Sequence, residues 1–262
     1  MVVIEKERIG DIPVLHIAQK ERYDEKLPFI IFIHGFTSAK EHNLHYAYLM
    51  AEKGFRVLLP DAVYHGERSQ GYSETQLMMR FWGTVVQTIK EIEILKNDLL
   101  NRNLILPDKI GISGTSMGGI VTNGAMAVYK WISAGVSLMG NPSYVKYARM
   151  QMENIQKHAA DINIPQQEMN KQLELIRDYD LSLHSDKLAG RPMLYWHGAK
   201  DPVVPYKHAS DFYESMRPAY AHAKGKLQFI LDKQAGHKVS REGVLKTAEW
   251  FETFLGQAGQ KA

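Results

Sequence analysis

The sequence predicts an α/β protein: a mainly parallel sheet opened by an antiparallel hairpin, with helices on both faces. Three observations predict it. Short apolar runs alternate with helix-spaced runs along most of the chain, the pattern of strand–helix–strand units joined by right-handed crossovers. Residues 29–33 (FIIFI) are apolar throughout, as a strand covered on both faces requires. Residues 2–9 and 12–18 flank Gly10-Asp11, a turn pair that suits a hairpin.

The remaining elements follow in order. A short helical stretch near residues 45–53 meets Gly54, placed as a C′ stop. Residues 56–59 form a short strand ended by Pro60. Met78, Phe81, Trp82, Val85, Ile89, Ile92, Leu95 and Leu99 recur at three- and four-residue steps, the longest helical pattern in the chain. Residues 109–113 are the next strand, and a small-residue helix start follows over 119–128. Residues 135–139, 191–196 and 227–231 complete the strands.

Residues 142–185 break the alternation. Met169, Leu173 and Ile176 share a helical face after Pro165, which can occupy N1. Tyr144, Tyr147, Met150 and Ile155 mark a second helix. We expect one domain over residues 1–262, with residues 142–185 a small helical cap inserted within it. A plain helix pair packed on the sheet is the competing expectation. There are no internal repeats.

Composition narrows the function. The apolar and charged fractions, 45% and 23%, are those of a globular protein long enough to bury a large core. The chain has no cysteine, which excludes disulfides, thiolate catalysis and cysteine-ligated metal and suits a reducing cytoplasm. Net charge is +3, with basic residues scattered among acidic ones, as in Glu5-Lys6-Glu7-Arg8. With no basic block, neither nucleic acid nor a membrane surface is expected as a partner. The N-terminus has no signal-peptide run, and residues 29–33 are too short to span a bilayer. The expectation is a soluble cytoplasmic protein, with homo-oligomerisation left open.

The chemistry sits at Gly114-Thr115-Ser116-Met117-Gly118, between a strand and a helix start. A serine flanked by glycines at such a turn is the pattern of a nucleophile elbow. Glycine removes the Cβ atoms that would collide in so tight a turn. The competing explanation is a Gly-rich turn that cradles a phosphate on a helix N-terminus. A serine hydroxyl needs a base, and the base needs a group that orients it. In this architecture such groups gather at the carboxyl ends of strands. Asp201 follows the 191–196 strand in His197-Gly198-Ala199-Lys200-Asp201, and His237 follows the 227–231 strand in Ala235-Gly236-His237-Lys238. Their order, Ser, Asp, His, is that of the α/β-hydrolase fold.

With those residues in view, the elbow, the His34-Gly35-Phe36-Thr37 turn, the His197-Gly198-x-x-Asp201 loop and Gly236-His237 resemble the α/β-hydrolase superfamily. Within it the likeness is to small bacterial carboxylesterases of the prolyl-oligopeptidase-like and dienelactone-hydrolase-like branch. It spans nearly the whole chain and is weakest over residues 142–185. The resemblance implies an eight-stranded, mostly parallel sheet and a serine hydrolase with no metal and no organic cofactor. It implies Ser116 as nucleophile, His237 as base then acid, and Asp201 as the orienting acid. It also implies an oxyanion hole from the backbone N–H groups of Met117 and Phe36.

Rival residues carry rival readings. His34 ends a strand, where support of the turn competes with a catalytic step. His42 and His45 could share a metal, but no third ligand is evident and a solvated helix start explains them. Asp232 and Asp61 are rival acids after strands, and Ser113 lacks the elbow. His65, Trp82 and Met150 are candidates for a substrate pocket, with Met78, Met79, Phe81 and Met152 beside them. Core packing competes for Met78, Met79, Phe81 and Trp82 because of their helical spacing. The expected function is a serine esterase acting on small carboxylic esters through an acyl-enzyme. A peptidase, amidase or thioesterase would use the same triad, although the chain shows no propeller-sized N-terminal domain to gate peptides. A non-catalytic ligand-binding protein of the same fold is the alternative from another class.

Overall fold

The computed structural model describes residues 1–158 and 165–256; residues 159–164, part of the expected cap, and 257–262 lie outside the described residues. β1 (Val2–Ile9) and β2 (Ile12–Gln19) form the antiparallel hairpin, closing at the Ile9–Ile12 pair with Gly10 at φ +58°. β3 (Leu27–Ile33) is buried along its whole length. Its side chains alternate between two cores, with Phe29, Ile31 and Ile33 on one face and Ile30 and Phe32 on the other. α1 (Leu44–Glu52) stops at Gly54, at φ +85°, as expected. β4 is Arg56–Pro60.

The longest helical pattern divides in two. Ser73 and Gln76 form a reciprocal capping box at the start of α2 (Glu74–Met79), and Arg80 separates it from α3 (Phe81–Asn101). The turn at Arg80, with ψ near 0°, takes Met78 and Met79 off the core stripe, and both are about half exposed. β5 (Ile105–Thr115) begins earlier than its apolar run suggests, and its register against β3 shifts between Leu27 and Phe29. α4 (Met117–Val128), β6 (Ala134–Leu138), α5 (Tyr144–His158), α6 (Gln166–Arg177), β7 (Met193–Gly198), α7 (Lys207–Met216), β8 (Leu227–Asp232) and α8 (Arg241–Leu255) follow.

The eight strands make one sheet in the order β1-β2-β4-β3-β5-β6-β7-β8. β2 runs antiparallel to β1 and β4, and the remaining pairs are parallel. α1 and α8 pack in one core while α3, α4 and α7 pack in the other, so helices cover both faces. The elbow strand β5 is central, and β7 and β8 lie to one side of it.

Three polar side chains, two of them buried and Arg191 part-buried, fix the elements around α4. The Tyr144 hydroxyl donates to Ile120 O and accepts from Gly124 N–H, the two groups that an uninterrupted α-helix would join directly. Asp180 is buried and clasps both ends of the α5–α6 insertion. One oxygen accepts from Val145 N–H, and the other from Ser182 N–H, Ser182 Oγ–H and Leu183 N–H. Arg191 closes the C-terminal end of α4, donating to the carbonyls of Met126, Tyr129 and Ile132 at 2.6–2.8 Å.

Candidate active site

Ser116 ends the turn from β5 into α4 with φ +54° and ψ −113°. A non-glycine residue there costs about 1–3 kcal/mol and persists only when its surroundings enforce it. They do so here. Ser116 N–H donates to Leu138 O at 2.8 Å, and Ser116 O accepts from Ile120 N–H at 2.9 Å. A Cβ on Gly114 would meet Ile33 O at 2.5 Å, and one on Gly118 would collide with the same carbonyl. The two glycines let β3 pass close beneath the elbow.

The loops after β7 and β8 converge on that hydroxyl. Ala199 N–H donates to Asp232 O at 2.8 Å and Lys200 N–H to Ala235 O at 3.0 Å, so the loops are joined along their backbones. A Cβ on Gly198 would meet Ala235 O at 2.5 Å, which explains glycine after His197. His237 Nδ1 is 2.7 Å from Asp201 Oδ2, and His237 Nε2 is 2.8 Å from Ser116 Oγ. A carboxylate only accepts, so Nδ1 carries the hydrogen and Nε2 presents its lone pair to the serine O–H. The structure thus brings Ser116, Asp201 and His237 into one hydrogen-bonded line.

Asp201 is held as an anion. Burial works against its charge, yet hydrogen bonds from His197, His237 and the Val204 and Val203 N–H groups outweigh it and hold the carboxyl well below the usual carboxylate range. Oδ1 accepts from Val203 and Val204 N–H at 2.8 and 3.0 Å, leaving Oδ2 for the imidazoles. His197 is a second partner whose role its sequence position does not reveal. Its Nε2 lies 2.7 Å from Val204 O and 3.3 Å from Asp201 Oδ2. Both are acceptors, so one N–H is shared between them. The signal for it is a histidine at a strand end, four residues before an acid.

Met117 opens α4, where the first N–H groups have no acceptor within the helix and the helix dipole favours negative charge. The turn after β3 runs beside it: a Cβ on Gly35 would lie 3.4 Å from Thr115 O and 3.6 Å from Ser116 Cβ. His34 controls the peptide group between Gly35 and Phe36. Its Nδ1–H donates to Gly35 O at 2.7 Å, and its Nε2 accepts from Ala62 N–H at 3.0 Å. Burial pushes the His34 imidazole down to about 4, so it is neutral at pH 7 and fixed in one tautomer. The carbonyl it grips belongs to the same peptide as the Phe36 N–H.

A cavity of about 430 Å³ opens at Ser116. It is lined by Phe36 and Ile120, by Phe81 and Trp82 of α3, and by Tyr147, Ala148, Gln151 and Met152 of α5. Of the three candidate pocket residues, only Trp82 lines it. His65 is buried behind Phe36, rings 5.6 Å apart, with Nδ1–H donating to Val63 O. Met150 packs against the core instead. Met78, Met79 and Phe81 line the cavity with Met152. Tyr147, read from the sequence only as part of a helix pattern, and Gln151, which the sequence does not single out, line it too; Trp82 Nε1–H donates to Gln151 Oε1 at 3.0 Å.

The rivals have other partners. Asp61 is buried and accepts from Lys40 Nζ at 2.6 Å and from the backbone N–H groups of Lys40 and Glu67. Asp232 accepts from Gln234 and Ala235 N–H, shaping the loop before His237. Ser113 is buried within β5. His42 lies 3.0 Å from Ser38 Oγ, and His45 packs on Tyr46. Among the described residues no group of three or more His, Asp or Glu is placed to hold a metal, and no helix is long and apolar enough to cross a membrane.

Comparison with known proteins shows the family and the fold. Residues 41–258 match the model of the prolyl oligopeptidase family. The chain is similar to YitV of Bacillus subtilis (strain 168), 49% identical over 97% of this chain and 100% of that protein. It is similar to Esterase YjfP of Escherichia coli (strain K12), 33% identical over 78% of this chain and 81% of that protein. The crystal structure of TT1662 from Thermus thermophilus shares the fold with a TM-score of 0.73 at 20% identity, over 98% of this chain and 99% of that one. The fold is that of the α/β-hydrolases.

Proposed function

The chain belongs to the prolyl oligopeptidase family, and on that premise we propose that it is a carboxylesterase that works through an acyl-enzyme on Ser116. The observation that carries the proposal is the line Asp201–His237–Ser116, with contacts of 2.7 and 2.8 Å. His237 Nε2 takes the Ser116 proton as Oγ bonds to the ester carbonyl carbon. The carbonyl oxygen becomes an oxyanion facing the Met117 and Phe36 N–H groups, where one such donor lowers the barrier by roughly 3 kcal/mol in other enzymes. Imidazolium, stabilised by Asp201, then protonates the departing alkoxide. Water repeats the sequence, with His237 as its base, and releases the acid and the free serine.

The relative named Esterase YjfP supports ester rather than amide substrates. The family's name keeps amide hydrolysis as the reading to test beside it. The cap reading of residues 142–185 is supported by α5 and α6, which contribute Tyr147, Gln151, Glu168 and Gln172 to the cavity wall. A cytoplasmic setting suits a chain without cysteine. The test is labelling by a fluorophosphonate and turnover of p-nitrophenyl esters. Wild type should be labelled and active, and Ser116→Ala should lose both, falling by at least about a thousandfold in kcat. An alanine variant that keeps full activity would sink the assignment. Faster turnover of aminoacyl anilides than of esters would favour the amidase.

A further inference from the structure

We infer that the cavity at Ser116 is an acyl pocket for bulky, uncharged, apolar acyl groups, and that Glu74 and Glu168 select against acyl chains ending in a carboxylate. The inference rests on Ser116 being the nucleophile.

The side of the serine that the cavity occupies decides which half of the ester it takes. The leaving group must lie against His237 Nε2, which protonates it. Neither His237 nor any residue of its loop, 235–238, lines the cavity among the described residues. Near the serine the wall takes Phe36, beside the carbonyl oxygen's position, and Ile120 in the second turn of α4, with Val203 and Val204 of the Asp201 loop farther along it. That is the side on which the acyl chain leaves the carbonyl carbon.

The chemistry of the wall sets the kind of acyl group. At about 430 Å³ the cavity lies within the roughly 300–1,000 Å³ range of pockets that enclose drug-sized ligands, well beyond an acetyl group. Three of its polar side chains already have partners: Trp82 Nε1–H donates to Gln151, which also hydrogen-bonds Tyr147, and the Tyr147 hydroxyl donates to Val203 O. Apart from Ser116, Gln172 and two glutamates, the rest of the wall is aromatic and aliphatic. Met78, Met79 and Val203 carry that apolar surface out to the mouth, each about half exposed. Two adaptable thioethers there would follow a chain of variable length.

Charge settles what the far end can carry. Among the described residues, Glu74 on α2 and Glu168 on α6, both exposed, line the cavity, and no Lys or Arg does. Arg80, between α2 and α3, donates to Gln76 O and lies over the Tyr72 ring, and Lys146, Arg149 and Lys171 are exposed and off the wall. A carboxylate on the acyl terminus would therefore approach two like charges with no lining cation to offset them.

The experiment compares kcat/KM for p-nitrophenyl octanoate, p-nitrophenyl acetate, the mono-p-nitrophenyl ester of suberic acid, octyl acetate and ethyl octanoate, all on the intact protein. Octanoate should exceed acetate at least tenfold and the suberate monoester at least tenfold. Glu74→Gln/Glu168→Gln should narrow the octanoate-to-suberate ratio at least threefold. Acetate turned over as well as octanoate would overturn the acyl pocket, as would octyl acetate exceeding ethyl octanoate. An unchanged ratio in the double variant would overturn the charge selection. Loss of all ester turnover with no fluorophosphonate label would instead overturn the esterase reading itself.

Discussion

At the scale of single residues the site is a chain of enforced hydrogen positions. The Asp201 carboxylate only accepts, so His237 keeps its hydrogen on Nδ1 and offers Nε2 to Ser116. Asp201→Asn reverses this. The amide would donate to Nδ1, drive the hydrogen to Nε2 and leave the serine without a base. We expect kcat to fall by about 10⁴, with the far-UV circular dichroism spectrum unchanged. The three triad members are legible in the sequence because a strand's end restricts where a side chain can go, and the elbow needs its own glycines. His197 is less legible. Its contribution is an N–H shared between Asp201 Oδ2 and Val204 O, a contact created by the curl of the loop rather than by any spacing that chemistry demands. His65 and Met150 show the same limit from the other side. Both sit on segments that border the site, yet one is turned behind Phe36 and the other toward the core.

At the scale of elements, every strand expected from the apolar runs is present, with ends displaced by a few residues. The larger departures have local causes. The helical pattern beginning at Met78 divides because the chain turns at Arg80, and the hydrophobic spacing continues across the break without recording it. Met78 and Met79 therefore read as core but line a cavity mouth. Which face of α5 meets the cavity depends on what α3 and α6 leave uncovered, so the choice between Met150 and Met152 is a tertiary one. The join between α4 and α5 can be tested. Tyr144→Phe removes the buried hydroxyl that bonds both Gly124 N–H and Ile120 O. Unfolding in urea should show a loss of about 1–3 kcal/mol, with little change in helix content.

For the molecule as a whole, the buried histidines make folding acid-sensitive. Burial pushes His34 down to about 4, and it lowers His16 and His65 as well. Above the unfolded value near 6.5 these groups are neutral in both states and have no effect. As pH falls from about 6.5 to about 4 the unfolded chain binds protons that the folded chain refuses. For His34 alone that costs about 1.4 kcal/mol per pH unit. The lowered carboxyls of Asp61 and Asp201 extend the loss to more acid pH, since their stabilisation is present above the unfolded carboxylate value and disappears as they protonate. The melting temperature should drop between pH 7.5 and pH 5, and His34→Gln should reduce the drop. The placement of Asp180 has a further mechanical consequence. One carboxylate staples both feet of the α5–α6 arch, and the first of those feet is locked through Tyr144 into the backbone of the helix that carries the nucleophile. Those footings stay in register with the serine, so they cannot lift away from it as a slab, and the methionine side chains at the doorway are left to make way for substrate.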